Sequence, residues 1–246
     1  MLSKLRYYSQ IFRVFVHVMR GMLICFVLFP WSKKATRLSH IQLWSQQLLT
    51  IFNVRVKMNL ASLPENTVII SNHISWLDIF VINSFSPSRF VAKSDIRSWP
   101  MLGWLAEQAG TIYISRGSKS DVKRIYQYLI DQIEAGEQVA FFPEGTTAQQ
   151  GVVLPFHANL FEAAIHAKVG IQPIALRYAN AAGEFHPAVT YIGDMTFAAS
   201  MDAILRGGEV VVELQVLELI SSEGTHRRDL AVAARQSVAE ALHITL

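Results

Sequence analysis

Asn72-His73-Ile74-Ser75-Trp76-Leu77-Asp78 sets an imidazole and a carboxylate five positions apart, where the β-branched run Thr67-Val68-Ile69-Ile70 gives way to a turn and an amphipathic segment. A histidine whose ring is held by a carboxylate has a fixed tautomer and a stabilised imidazolium, the two properties a general base requires. Five residues is about 140° around an ideal helix, so the two side chains do not share a face if both lie in one helix. They meet if His73 sits on the turn and Asp78 in the first helical turn, with Ser75 as N-cap. The chemistry would then be removal of a proton from a hydroxyl or from water. Taken alone, the pair has a plain structural counterpart, because a turn histidine bonded to a nearby aspartate is common.

Other loops carry groups that suit an anion. Phe141-Phe142-Pro143-Glu144-Gly145-Thr146-Thr147 follows an apolar strand and ends in small, hydroxyl-rich residues. Backbone N–H groups and hydroxyls can cradle an anion there, with Gly145 permitting the turn. Glu144 would repel phosphate unless it bonds hydroxyls or pairs with a cation. Gly110-Thr111-Ile112-Tyr113-Ile114-Ser115-Arg116 supplies a cation just beyond a strand, and the fork of Arg116 suits phosphate. Ile171-Gln172-Pro173-Ile174-Ala175-Leu176 is an apolar strand with an early proline. Singly, these read as an exposed loop acid, a surface arginine and a strand start.

The elements that must position these groups alternate. Strands are expected at Arg55 to Met58, Val68 to Ser71, Arg89 to Ala92, Thr111 to Ser115, Gln138 to Phe142, Ile171 to Arg177, Ala188 to Ile192 and Val210 to Leu217. Helices are expected at Trp76 to Ser84, Pro100 to Gln108, Lys119 to Ala135, Leu160 to Ala167, Met201 to Leu205 and Thr225 to Leu242. Gly110 and Gly136 punctuate two helix ends. The alternation predicts an α/β fold, a mainly parallel sheet flanked by helices on both faces, with a site at the strand ends. Val189-Thr190-Tyr191-Ile192 is expected to pair antiparallel with Ala175-Leu176-Arg177-Tyr178 near one edge.

Charge divides the chain. Residues 1 to 64 hold nine Lys or Arg and no carboxylate, while the remainder holds 13 basic and 19 acidic residues, so the overall +3 hides a +9 arm on a −6 body. A basic arm can bind nucleic acid or an anionic membrane. Its density of Phe, Leu, Val and Trp selects the membrane and excludes nucleic acid as partner. The uninterrupted apolar run Gly21 to Trp31 is 11 residues, short of the roughly 20 a spanning helix needs. Extending it back to Tyr7 brings in two arginines and a histidine. A helix lying in the headgroup region, ended by Pro30, fits this pattern, with Lys33, Lys34 and Arg37 meeting lipid phosphates. Ala35 to Phe52 reads as an amphipathic helix folding back on it. A two-part organisation follows, 1–58 as a two-helix membrane-associating segment and 59–246 as one α/β domain. A cleaved signal peptide is disfavoured, since no small-x-small site precedes a polar start. The single cysteine, Cys25, excludes internal disulfides, and no histidine pairs with a carboxylate in metal-ligating fashion, so no metal is expected.

In this order the motifs Asn72-His73 through Asp78, Gly110 through Arg116, Phe142-Pro143-Glu144-Gly145-Thr146 and the Pro173 strand resemble the four sequence blocks of the glycerolipid acyltransferases, the 1-acylglycerol-3-phosphate O-acyltransferase (PlsC-like) family. The resemblance covers roughly residues 68 to 180. It implies His73 as general base toward the acceptor hydroxyl, Asp78 as its orienting carboxylate, and direct attack on an acyl thioester without an acyl-enzyme. It implies that Arg116, Glu144, Gly145 and Thr146 hold the acceptor's phosphate and glycerol hydroxyls, with Pro173 shaping the pocket and Lys93 a further candidate for the anion. No cofactor is implied beyond acyl-CoA or acyl-carrier protein as co-substrate. Many members have an arginine or serine where this chain has Thr147, a hydroxyl without charge. Lysophosphatidate is the first acceptor implied, and lyso-ornithine lipid, whose free hydroxyl sits on a fatty acyl chain, the alternative. A lipid hydrolase or thioesterase would use the same pair on water, but no Gly-x-Ser-x-Gly elbow is present. A non-catalytic membrane-binding protein with a decayed site is a third reading, opposed by the intact His, Asp, Arg, Glu and Gly set. A thioester donor and the lack of a signal peptide favour the cytoplasmic face of a bacterial inner membrane, with monotopic or peripheral attachment.

Overall fold

The computed structural model describes residues 2–60, 63–64, 66–114 and 119–246. Seven strands form one sheet in the order β1-β7-β6-β2-β5-β3-β4. They are β1 (Val54–Met58), β2 (Thr67–Ser71), β3 (Arg89–Lys93), β4 (Ile112–Ile114), β5 (Val139–Phe141), β6 (Gly170–Ala179) and β7 (Val210–Val216). Every neighbouring pair is parallel except β6 with β7. The sheet is therefore mainly parallel, as the alternation of elements predicts.

Period-2 alternation sends side chains to two separate cores. Ile69, Phe90, Ala140, Ile174, Leu176 and Tyr178 face one side, with α2 (Lys34–Ile51), α3 (Leu77–Phe85) and α7 (Phe197–Arg206). Val68, Ile70, Val139, Phe141 and Ala175 face the other, with α5 (Lys119–Glu134), α6 (Phe161–His166) and α8 (Arg227–Ala241). A short helix, α4 (Leu102–Gln108), precedes β4 and ends near Gly110, whose φ of 85° gives the turn its left-handed residue. Gly136 does the same after α5 with φ 72°.

One expected strand is absent. Residues 188–192 form no strand, and the antiparallel neighbour of β6 is β7, in the register Ile174↔Val216 to Ala179↔Val211. The reason lies in what the two segments bond. Tyr191 donates its N–H to the Ile74 carbonyl, and its own carbonyl accepts from the Thr147 hydroxyl, so this stretch crosses the turn after β2 and cannot join the sheet. Val210–Val216 carries the largely buried pattern of a strand covered on both faces.

Pro173 lies inside β6 opposite Ile70, not at the strand's start. Its carbonyl accepts from Leu217 N–H, so the donor it lacks would face the end of the β7 ladder and leaves the β2 side intact.

The N-terminal arm is the expected helical pair. α1 (Leu2–Leu23) continues through a π turn and a 3-10 turn to Trp31, and α2 returns against it. His17 and Trp44 lock the two reciprocally. The indole Nε1 donates to the His17 carbonyl at 3.1 Å, and His17 Nε2 sits 3.0 Å from the Trp44 carbonyl. Gly21 is required at this crossing, where a Cβ would come within 2.6 Å of the Trp44 indole. Leu5–Trp31 is long and apolar enough to cross a membrane, and little of it is buried. Its outward face exposes Leu5, Phe12, Phe15, Leu23, Phe26 and Trp31. The arm is not separable from the sheet at residue 58, because β1 pairs with β7 and Leu48, Leu49 and Phe52 enter the core.

Phe161 meets Phe141 edge to face at 5.5 Å directly beneath the loop that carries Glu144. Both rings are fully buried. Phe161→Ala is expected to lower stability by about 3 to 5 kcal/mol, read from the urea midpoint.

Candidate active site

β2 ends at Ser71, and the side chain of Asn72 supplies the next rung of the sheet. Its Nδ2 donates to the Leu176 carbonyl at 2.9 Å, and its Oδ1 accepts from Leu176 N–H at 2.8 Å. A carboxamide thus replaces a peptide unit, which frees the main chain to leave the sheet at His73. The turn that follows is held from outside. His73 N–H donates to Glu144 Oε1 at 2.8 Å, its carbonyl accepts from Ala148 N–H at 2.7 Å, and the Ile74 carbonyl accepts from Tyr191 N–H at 3.0 Å.

His73 lies on this turn and Asp78 in the first turn of α3, the placement that lets them meet. His73 Nδ1 is 2.8 Å from Asp78 Oδ2. The same oxygen accepts from Ile74 N–H at 2.7 Å and Ser75 N–H at 2.9 Å, while Oδ1 accepts from the Tyr178 hydroxyl at 2.6 Å. Asp78 is fully buried, so its charge is balanced by four donors. Ser75 makes the expected capping contact, its Oγ accepting from Leu77 N–H at 3.4 Å. The helix begins at Leu77 behind Trp76, and the Asp78 carboxylate itself folds back over the N–H groups of residues 74 and 75.

With Nδ1–H committed to Asp78, the neutral ring presents Nε2 as its acceptor. His73 stacks on Phe142 with centroids 3.9 Å apart and planes 6° from parallel, and Phe142 stacks on Phe90 at 5.6 Å. The side chain of His73 is 18% exposed, which leaves an edge open to a substrate while the rest of the ring is walled.

Glu144 does not face an anion. It is buried, and its second oxygen accepts from Leu154 N–H at 3.0 Å. Its carboxylate joins the His73 turn to the segment after the Gly145 loop. Burial pushes this carboxyl up to about 7, against the pull of the two N–H donors and with a further push from Asp78. Gly145 takes φ 68°, and a Cβ there would meet the His157 ring at 3.2 Å. Gly145 and Thr146 are exposed beside the dyad's loop, whereas the Thr147 hydroxyl is donated to the Tyr191 carbonyl. Lys93 ends β3, exposed, three residues beyond Phe90, and no hydrogen bond or ion pair joins it to the dyad. Pro173 is buried in the sheet at the level of Ile70. Arg116 lies outside the described residues.

Sequence reasoning missed Tyr178. Its phenol is fully buried and its hydroxyl ends on Asp78. The available signal was a tyrosine on the same strand face as Ile174 and Leu176, since a buried phenol must find a partner.

A sequence profile described as Acyltransferase matches residues 52–177. A lyso-ornithine lipid O-acyltransferase of Pseudomonas aeruginosa is 36% identical over 199 residues, covering 81% of this chain and 76% of that protein. A 1-acyl-sn-glycerol-3-phosphate acyltransferase of Neisseria gonorrhoeae is 40% identical over 121 residues, 49% of this chain and 48% of its own length. In fold, the chain is similar to the 1-acyl-sn-glycerophosphate acyltransferase PlsC of Thermotoga maritima, with TM-score 0.70 at 19% identity over 98% of this chain and 94% of that one.

Tyr178→Phe removes one donor from a buried carboxylate, a change worth about 1.5 to 3 kcal/mol of stability. It is expected to lower kcat with KM unchanged, and an unaltered kcat would reduce Tyr178 to packing. For Glu144 the folded carboxyl holds its proton more tightly than the unfolded one. Its contribution to stability is therefore complete below about pH 4.5 and is lost as pH rises through about 7. Urea unfolding of wild type and Glu144→Gln at pH 5 and pH 8 should show the difference between them shift against wild type at the higher pH.

Proposed function

The chain belongs to the acyltransferase family, and we propose that it transfers a fatty acyl group from an acyl thioester, acyl-CoA or acyl-carrier protein, to the hydroxyl of a lyso-lipid at a membrane surface. The observation that carries this reading is the buried carboxylate fixing His73 Nδ1, which leaves Nε2 as a base at an open ring edge. In the proposed reaction His73 Nε2 takes the proton of the acceptor hydroxyl as its oxygen attacks the thioester carbonyl. The new C–O bond forms, the C–S bond breaks, and the imidazolium returns the proton to the departing thiolate. Asp78 stabilises the imidazolium throughout. Positioning of two bound substrates adds to base catalysis worth about 10²- to 10⁴-fold.

Two acceptors fit. Lysophosphatidate is the one implied by the motif order, with Arg116, Gly145, Thr146 and Lys93 as candidates for its phosphate. Lyso-ornithine lipid is favoured by two observations. The Pseudomonas relative matches far more of this chain than the Neisseria relative does, and Thr147 has neither a charge nor a free hydroxyl proton to offer a phosphate. We weigh lyso-ornithine lipid first on these grounds. The exposed apolar face of α1 supports attachment to one leaflet, on the cytoplasmic side where thioester donors are made available.

Labelled palmitoyl-CoA offered with lyso-ornithine lipid, lysophosphatidate or water alone tests both levels. Label is expected in the acylated lyso-ornithine lipid. Label only in phosphatidate would reassign the acceptor, and free fatty acid with neither acceptor would overturn acyl transfer to a lipid. His73→Ala and Asp78→Asn should each lower transfer by about 10²-fold or more. A His73→Ala protein that kept full activity would remove the general base from the mechanism.

A further inference from the structure

α1 carries two kinds of surface that the reaction does not use. At about 100° per residue, the exposed Leu5, Tyr8, Phe12, Phe15, Val16, Met19 and Leu23 fall within one arc roughly 100° wide. Arg13 and Arg20, seven residues apart and so nearly on one line, project roughly 100° from the centre of that arc. If the arc lies in lipid, these guanidiniums stand at headgroup depth on a single flank of the helix.

That flank is a groove. Phe12, Arg13, Val16 and Arg20 of α1 form one wall, and Gln47 and Thr50 of α2 the other. Arg20 Nη1 donates to Gln47 Oε1 at 3.0 Å, and among the described residues neither guanidinium has a carboxylate partner. No carboxylate occurs anywhere in the arm before Glu65. The cations expected from sequence to meet lipid are mostly engaged otherwise. Lys34 pairs with Glu137 at 3.0 Å, and Arg37 donates to the Ser32 carbonyl and packs over the Phe29 ring.

We propose that the α1–α2 groove is a docking site for one anionic phospholipid of the membrane, its phosphodiester held between Arg13 and Arg20 and its acyl chains running along Phe12 and Val16 onto the apolar arc. Two like charges on one wall call for an anion between them, and guanidinium forks suit phosphate oxygens. The apolar residues at the mouth select a lipid over free phosphate. This ligand is distinct from the acyl acceptor and does not depend on which acceptor is correct.

The test is partition of the full chain onto phosphatidylcholine vesicles with and without phosphatidylglycerol. Diffuse attraction alone costs any two basic residues of the arm up to about thirtyfold in partition onto the anionic vesicles, the loss expected of the charge-matched control Arg6→Gln/Lys33→Gln, whose residues are exposed but outside the groove. The double variant Arg13→Gln/Arg20→Gln is expected to lose clearly more than that control, by about tenfold or more. Equal losses in the two pairs would mean diffuse attraction and overturn the site. Arg13→Lys/Arg20→Lys separates the cases again. The groove predicts a clear loss because the forks are gone, whereas full retention would overturn it. Native mass spectrometry of detergent-purified protein should find one phosphatidylglycerol retained by wild type and none by the glutamine pair. Transfer to a monomeric, short-chain acceptor should be unchanged in every variant, which shows that the fold is intact.

Discussion

A fully buried carboxylate at Asp78 is the constraint around which the rest is arranged. An ionised group removed from water is tolerated only when its lone pairs are filled, and here an imidazole, two main-chain amides and a phenol fill them. Each donor comes from a different structural decision. The amides require the chain to turn sharply after β2, the imidazole requires that turn to precede α3, and the phenol requires β6 to lie beside β2. The dyad is thus a product of strand order as much as of local spacing.

The turn can be sharp because its own hydrogen bonds are taken over by neighbours. Asn72 continues the β2–β6 ladder with its side chain, and Glu144 receives the His73 N–H that the sheet no longer uses. Glu144 is therefore a strut. Its position within the loop invites a binding role, yet both oxygens are occupied by main-chain donors and the side chain is buried. What remains free in that loop is Gly145 and Thr146, on the exposed side.

The arm is tied to this centre through packing on the same side of the sheet. Tyr7 of α1 bonds Asp202 of α7, and Arg206 lies over the Tyr7 ring at 4.0 Å. The indole of Trp76, two residues before Asp78, in turn donates its N–H to the Ser200 hydroxyl oxygen of α7. The helix expected to lie on lipid and the residues that hold the base share one continuous core.

The α/β class, the two-helix arm, the charge division and the His73–Asp78 pair were all legible in the sequence, because each rests on local pattern: period, glycine punctuation, composition and a five-residue spacing. The segment 188–192 has the composition of a strand, but Val210–Val216 takes the edge of β6 and Tyr191 bonds Ile74 and Thr147 across the turn after β2. The same limit governs the site. A chain of residue types shows that a histidine and an aspartate can meet. It does not show that Tyr178, a hundred residues later, completes the carboxylate's shell, that Glu144 turns inward, or that Thr147 spends its hydroxyl on Tyr191. Those outcomes depend on which strands become neighbours and which polar groups are left without water, and that is decided only when distant parts of the chain are packed together.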